Sequence, residues 1–129
     1  MDKKTTATAA VFGMIAIILG AFGAHALKKV LSIEQLATFE TGVRYQMYHA
    51  LFLLFIGLIP VLTSKAKKII YNLVFLGVLL FSGSIYLLAT NELTPFFDFK
   101  IIGFVTPIGG LLLISAWTVL LCNITKKNR

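Results

Sequence analysis

Two histidines, His25 and His49, combine reactivity near neutral pH with a setting of almost unbroken apolar sequence. An imidazole titrates close to physiological pH, ligates metals and relays protons. An ionisable residue inside a membrane span is a functional candidate by default. Polar side chains recur around both: Arg44, Tyr45 and Tyr48 beside His49, Ser82, Ser84 and Tyr86 in a later apolar stretch, and Thr106 in the last. Several chemistries are open to such a set. The imidazoles can tie helices together through hydrogen bonds to Ser, Thr, Tyr or backbone. They can hold a metal, but that takes three or four ligands, and Glu40, Tyr45, Tyr48 or a second copy of the chain would have to complete the set. They can hold a haem between them if they face one cavity at equal depth. A path for protons or a small solute would need a polar relay that the inner halves of the spans lack. A cleft for a lipid or quinone headgroup, lined by Arg44, Tyr48 and His49, is a further reading. No resident cofactor and no metal is expected.

The elements that must position these residues are four long apolar stretches, at residues 7–27, 45–62, 69–90 and 101–122. About 20 consecutive apolar residues cross a bilayer as a helix. The chain has 129 residues, 58% hydrophobic and 13% charged, against about a quarter charged in a typical soluble domain. The expectation is one all-α domain, an integral membrane bundle of four transmembrane helices, with no room for a separate soluble domain. The first apolar run exceeds the 7–15 residues typical of a signal-peptide core, so it is expected to be a retained span.

Basic residues set the orientation. Lys3, Lys4, Lys65, Lys67, Lys68, Lys126, Lys127 and Arg129 fall on one side of a four-span chain. The other side has Lys28, Lys29, Arg44 and Lys100, offset by Glu34, Glu40, Glu92 and Asp98. Both termini are therefore expected in the cytoplasm, with the protein in the bacterial plasma membrane. Between spans 1 and 2, Ser32-Ile33-Glu34-Gln35 fits a capping box, followed by Leu36, Phe39 and Val43 at helical spacing. This predicts a short amphipathic helix that either lies on the outer surface or extends span 2 outward, with Gly42 allowing a bend. Pro95, Phe96, Phe97 and Phe99 in the loop before span 4 are expected to anchor at the headgroups.

Small residues mark where helices approach in a bilayer. Ala16, Gly20 and Ala24 form one stripe on span 1; Gly77 lies on span 3; Gly109 and Gly110 lie on span 4. Pro107 is expected to free the carbonyl of Gly103 as a partner for an imidazole. The polar residues His25, Arg44, Tyr45, Tyr48, His49, Ser82, Ser84, Tyr86 and Thr106 are expected to share one depth in the outer half, while the inner halves are plain Ile and Leu with Trp117 toward the inner interface.

The net charge of +7 sits in loops beside apolar spans. It reads as topology signal and contact with anionic lipid, not as a nucleic-acid surface. The single cysteine, Cys122, rules out an intrachain disulfide and reads as an apolar filler. Nucleophile elbow, HExxH, P-loop and Gly-rich dinucleotide motifs are absent from the sequence, so no enzyme activity is expected.

Four blocks carry a resemblance. Gly20-Ala21-Phe22-Gly23-Ala24-His25-Ala26-Leu27, Phe39-Glu40-Thr41-Gly42-Val43-Arg44-Tyr45-Gln46-Met47-Tyr48-His49-Ala50-Leu51, Phe81-Ser82-Gly83-Ser84-Ile85-Tyr86-Leu87-Leu88 and Thr106-Pro107-Ile108-Gly109-Gly110 with Trp117 occur in order along the chain. Together they resemble the domain of unknown function 423 family of small bacterial membrane proteins. The resemblance implies a four-span protein of the cytoplasmic membrane and implies no activity. The expected role is therefore a non-enzymatic structural or accessory component that self-associates in the bilayer. The alternative is a binder or transporter of a small ligand, metal, haem or lipid headgroup centred on His25 and His49.

Overall fold

The structure is a computed structural model that describes residues 2–94 and 98–126, and every regular element among them is helical. Helix α1 (Lys3–His25) starts at Asp2, whose carboxylate accepts the Thr5 backbone N–H at 3.2 Å. That cap satisfies one of the donors a helix start leaves open. It begins four residues before the predicted span. A 3-10 turn, Leu27–Lys29, follows its C-terminal end.

Helix α2 (Ile33–Leu58) begins at the predicted capping box, with Ser32 Oγ accepting from Gln35 N at 3.1 Å and Ser32 N donating to Gln35 Oε1 at 2.9 Å. Of the two expected placements of the amphipathic segment between spans 1 and 2, the structure has the second, an extension of span 2 and not a separate helix. That segment is the first three turns of α2, which runs unbroken for 26 residues, about 39 Å at 1.5 Å per residue. Gly42 makes no bend. It is a point of close approach, where a Cβ would lie 2.7 Å from the Tyr86 ring.

Helix α3 (Ser64–Val78) starts at the Thr63 cap, leads into a π-helical turn over Leu79–Gly83, and continues as α4 (Ser84–Ala89). Two 3-10 turns, Asn91–Leu93 and Phe99–Ile102, precede α5 (Val105–Thr125). Pro107 therefore sits in the first turn of α5, where its missing N–H is a donor no helix would use. It frees no carbonyl for an imidazole, contrary to the expectation. Of the loop aromatics, Phe99 is half-buried, while Pro95, Phe96 and Phe97 lie outside the described residues.

Among the described residues, three helical stretches, Lys3–Lys29, Ser64–Ala89 and Phe99–Thr125, are long and apolar enough to cross a membrane. Helix α2 has the length, but Arg44, Gln46 and His49 interrupt its apolar run.

Helix α1 packs mainly on α2, and α3 on α5. The Asp2 N–H donates to the Gly57 carbonyl at 3.0 Å, tying the start of α1 to the end of α2. One apolar core joins Phe12, Leu53, Ile56, Ile70, Val74, Leu113 and Ala116, and a smaller one joins Leu27, Leu31, Phe39 and Ala89 at the opposite end. The α1 stripe is corrected at one position: Ala16 is buried and Gly20 half-buried, but Ala24 is exposed and Gly23 takes its place. Steps of four residues overshoot a 3.6-residue turn by about 40° each, so the buried face moves to the i+3 position. Gly77 and Gly109 do lie at close approaches: a Cβ on Gly77 would meet Leu113 at 2.6 Å, and one on Gly109 would meet the Phe81 backbone N at 2.4 Å. Gly110 faces the Phe81 ring at an ordinary 3.6 Å.

Candidate functional site: a polar network between the helices

Gln46 stands at the centre of the polar groups. It is only 4% exposed, on the α2 face that also buries Phe39, Gly42 and Leu53. Its Nε2 donates to the Phe12 carbonyl on α1 at 2.9 Å, and its Oε1 accepts from the Tyr86 hydroxyl on α4 at 2.6 Å. One amide thereby joins three helices. One turn earlier on α2, the Gly42 carbonyl accepts from Ser82 at 2.7 Å, which requires the close backbone approach that Gly42 permits. The π-helical turn puts Ser82 on this side of its helix and presents Ser84 to α5, where the Ser84 and Thr106 hydroxyls hydrogen-bond.

His49 is buried and has both ring nitrogens engaged. Nδ1 lies 2.7 Å from the Tyr45 carbonyl, which can only accept, so Nδ1 carries the proton. Nε2 is then the acceptor for the Trp117 indole N–H at 3.1 Å. The Trp117 ring also packs on Phe52, with centroids 4.0 Å apart. The pair links α2 to α5 through residues 68 apart in sequence.

The other predicted site residues do not join this network. Arg44 is exposed and donates to its neighbour Thr41 at 3.1 Å. Tyr48 is exposed, its ring 5.4 Å from that of Tyr45, which in turn packs on Phe81. His25 is exposed at the end of α1. The two histidines do not share a depth. A Cβ on Gly13 would sit 3.8 Å from the Ala50 side chain, so His49 lies near the level of Gly13, and His25 is 12 residues further along α1. At 1.5 Å per residue that is about 18 Å, too far for one group to be held between both imidazoles. The expectation of equal depth placed the outer end of span 2 at Tyr45; α2 begins three turns earlier, which moves His49 and its partner Trp117 toward the middle of the bundle.

Among the described residues no buried side-chain nitrogen or oxygen lacks a hydrogen-bond partner, and no group of three or more His, Cys, Asp or Glu is placed to hold a metal ion. Beside the His49–Trp117 pair, a cleft of about 370 Å³ opens between α2, the π-helical turn and α5, lined by Tyr45, His49, Phe81, Gly110, Leu113, Ile114 and Trp117. Gln46 and Trp117 are the site residues that sequence reasoning passed over. The signal for Gln46 is its register, four residues from Gly42 and seven from Leu53 on one helical face.

These features define a helical membrane protein whose polar side chains are paired with one another across the helix contacts. Residues 19–110 match the family described as "Protein of unknown function (DUF423)". The chain is 43% identical over 113 residues to a UPF0382 membrane protein of Staphylococcus haemolyticus, covering 88% of each chain. It is 36% identical over 124 residues to the UPF0382 inner membrane protein YgdD of Escherichia coli, covering 94% of this chain and 88% of that one. A UPF0382 membrane protein of Haemophilus influenzae is 35% identical over 117 residues. No solved structure is significantly similar to the chain. The chain belongs to the DUF423 family of bacterial membrane proteins.

Proposed function

We propose that the protein is a non-enzymatic component of the bacterial cytoplasmic membrane, crossing it four times with both termini in the cytoplasm. Its polar layer fixes the relative positions of the helices, and its apolar outer faces meet lipid and further copies of the chain. The observation that carries this reading is the Tyr86–Gln46–Phe12 relay. Polar groups in a bilayer must find partners inside the protein, and here the donors and acceptors that a reactive site would present to a substrate are spent on holding three helices together. The Asp2–Gly57 bond supports the topology, because it puts the lysines around residues 3–4 and 65–68 at one end.

Two measurements test it. On a Cys122→Ser background, Glu92→Cys should react with an impermeant thiol reagent on intact cells, and Ser64→Cys only after permeabilisation; the reverse pattern overturns the orientation. Native mass spectrometry of the protein extracted from its own membrane should show bare chains or bare oligomers. A stoichiometric small molecule lost in His49→Ala would favour a second reading, a ligand carrier. That reading rests on the cleft beside His49 and Trp117, centred on His49 alone because His25 stands about 18 Å away along the helix axis.

A further inference from the structure

At the opposite end of the bundle from His25, the chain builds a second, basic cavity of about 550 Å³, lined by Asp2, Lys3, Lys4, Leu62, Ser64 and Lys67. Three lysines face one carboxylate there. Lys67 is unusual among them: it is buried, 9% exposed, on the inward face of α3 with Ala66 and Ile70. Lysine is almost never buried without a partner. The hydrogen bond it makes is long, 3.4 Å from Nζ to the Gly57 carbonyl, and that carbonyl already accepts the Asp2 backbone N–H at 3.0 Å. An ammonium has three N–H donors, so this cation can also donate to a group held in the cavity that it lines. The Lys67 charge helps to hold Asp2 ionised, but Asp2 also serves the helix start. Its carboxylate is occupied at the Thr5 N–H, capping α1. Lys3 and Lys4 stand exposed at the rim, with Lys4 held over the Tyr71 ring at 4.8 Å.

We propose that this cavity is a binding site for the phosphate of an anionic phospholipid headgroup. A phosphate oxygen offers Lys67 a charged acceptor beyond its long bond to Gly57, and the net charge of three lysines against one carboxylate selects an anionic headgroup over a zwitterionic one. The position favours a lipid over a soluble phosphate. The cavity lies at the ends of α1, α2 and α3, beside the exposed apolar flank of Val61 and Ile69, where acyl chains run. Basic pockets between transmembrane helices on the cytoplasmic side are a recurring form of headgroup recognition. The site rests on the membrane embedding of the bundle and is independent of the role assigned to the Gln46 network.

The test is thermal unfolding of the full chain in mild neutral detergent, with phosphatidylglycerol, phosphatidylcholine or inorganic phosphate titrated in. Phosphatidylglycerol should raise Tm saturably and phosphatidylcholine should not. Lys67→Met, which keeps the apolar stem, and Lys3→Gln, at the exposed rim, should each weaken the phosphatidylglycerol response about fivefold. Lys3→Gln keeps the test decisive if Lys67→Met does not fold. Equal responses to the two lipids, or an undiminished response in the foldable variants, overturns the site. A matching Tm rise with inorganic phosphate alone at millimolar concentration overturns the lipid assignment in favour of a free anion.

Discussion

Replacing Gln46 tests the central claim that one amide joins three helices. Gln46→Leu keeps the side-chain volume close but removes two interhelical hydrogen bonds, at 2.9 Å to Phe12 and 2.6 Å from Tyr86. Interhelical hydrogen bonds in membrane proteins average about 0.6 kcal/mol and reach about 1.7, so the variant should lose about 1–3 kcal/mol. Tyr86→Phe removes the second bond alone and leaves Gln46 Oε1 unpaired, while keeping the ring contact to Phe39 at 5.0 Å. It should cost about 0.6–1.7 kcal/mol. In the double variant neither an orphan hydroxyl nor an orphan amide oxygen remains. The double should therefore cost less than the two singles added, by roughly the strength of the shared bond, about 0.6–1.7 kcal/mol. Reversible unfolding in mixed micelles with increasing denaturing detergent measures all four proteins. Strictly additive losses would refute the relay, since they would mean that Tyr86 and Gln46 do not interact.

Further outcomes follow from the same contacts. Gly109→Ala places a methyl 2.4 Å from the Phe81 backbone N, where neither partner can yield, so it should cost about 1–3 kcal/mol; Gly83→Ala meets nothing within 4 Å and should be neutral or slightly stabilising in the same unfolding assay. Trp117→Phe removes the indole donor to His49 but retains an aromatic ring against Phe52, and should cost about 0.6–1.7 kcal/mol; Trp117→Phe with His49→Ala should show the coupling. Asp2 is held below the usual carboxylate range, chiefly by the Thr5 backbone N–H that its charged form accepts. A depressed value means that this stabilisation is present above the unfolded-state pKa and is lost as pH falls through the folded one. Tm should therefore drop on acidification below the ordinary carboxylate range, and the drop should shrink in Asp2→Asn; an identical profile in the variant would show that the cap does not titrate with folding.

What the sequence revealed, and what it hid, divides along one physical line. Hydropathy over a long window reveals α1, α3 and α5, because a span facing lipid must be apolar almost throughout. The capping box at Ser32 and Gln35 is equally legible, since both partners sit within one turn. Helix α2 escapes this logic. A helix with one face against its neighbours can carry Gln46 and His49 on that face provided that each finds a partner, and the partners come from elsewhere: Phe12, Tyr86 and Trp117, the last 68 residues from His49. The expected span 45–62 contains both polar residues, but only the fold shows what they pair with. The same blindness misplaced His49, because its depth follows from where α2 begins and not from where its apolar run begins. The π-helical turn at Leu79–Gly83 has no local signature either. Its geometry is useful only with both sides present, Ser82 aimed at Gly42 and Phe81 against Gly109. The glycines that looked like generic packing sites are thus matched pairs: Gly42 admits the donor that Ser82 supplies, and Gly109 admits the backbone that carries it.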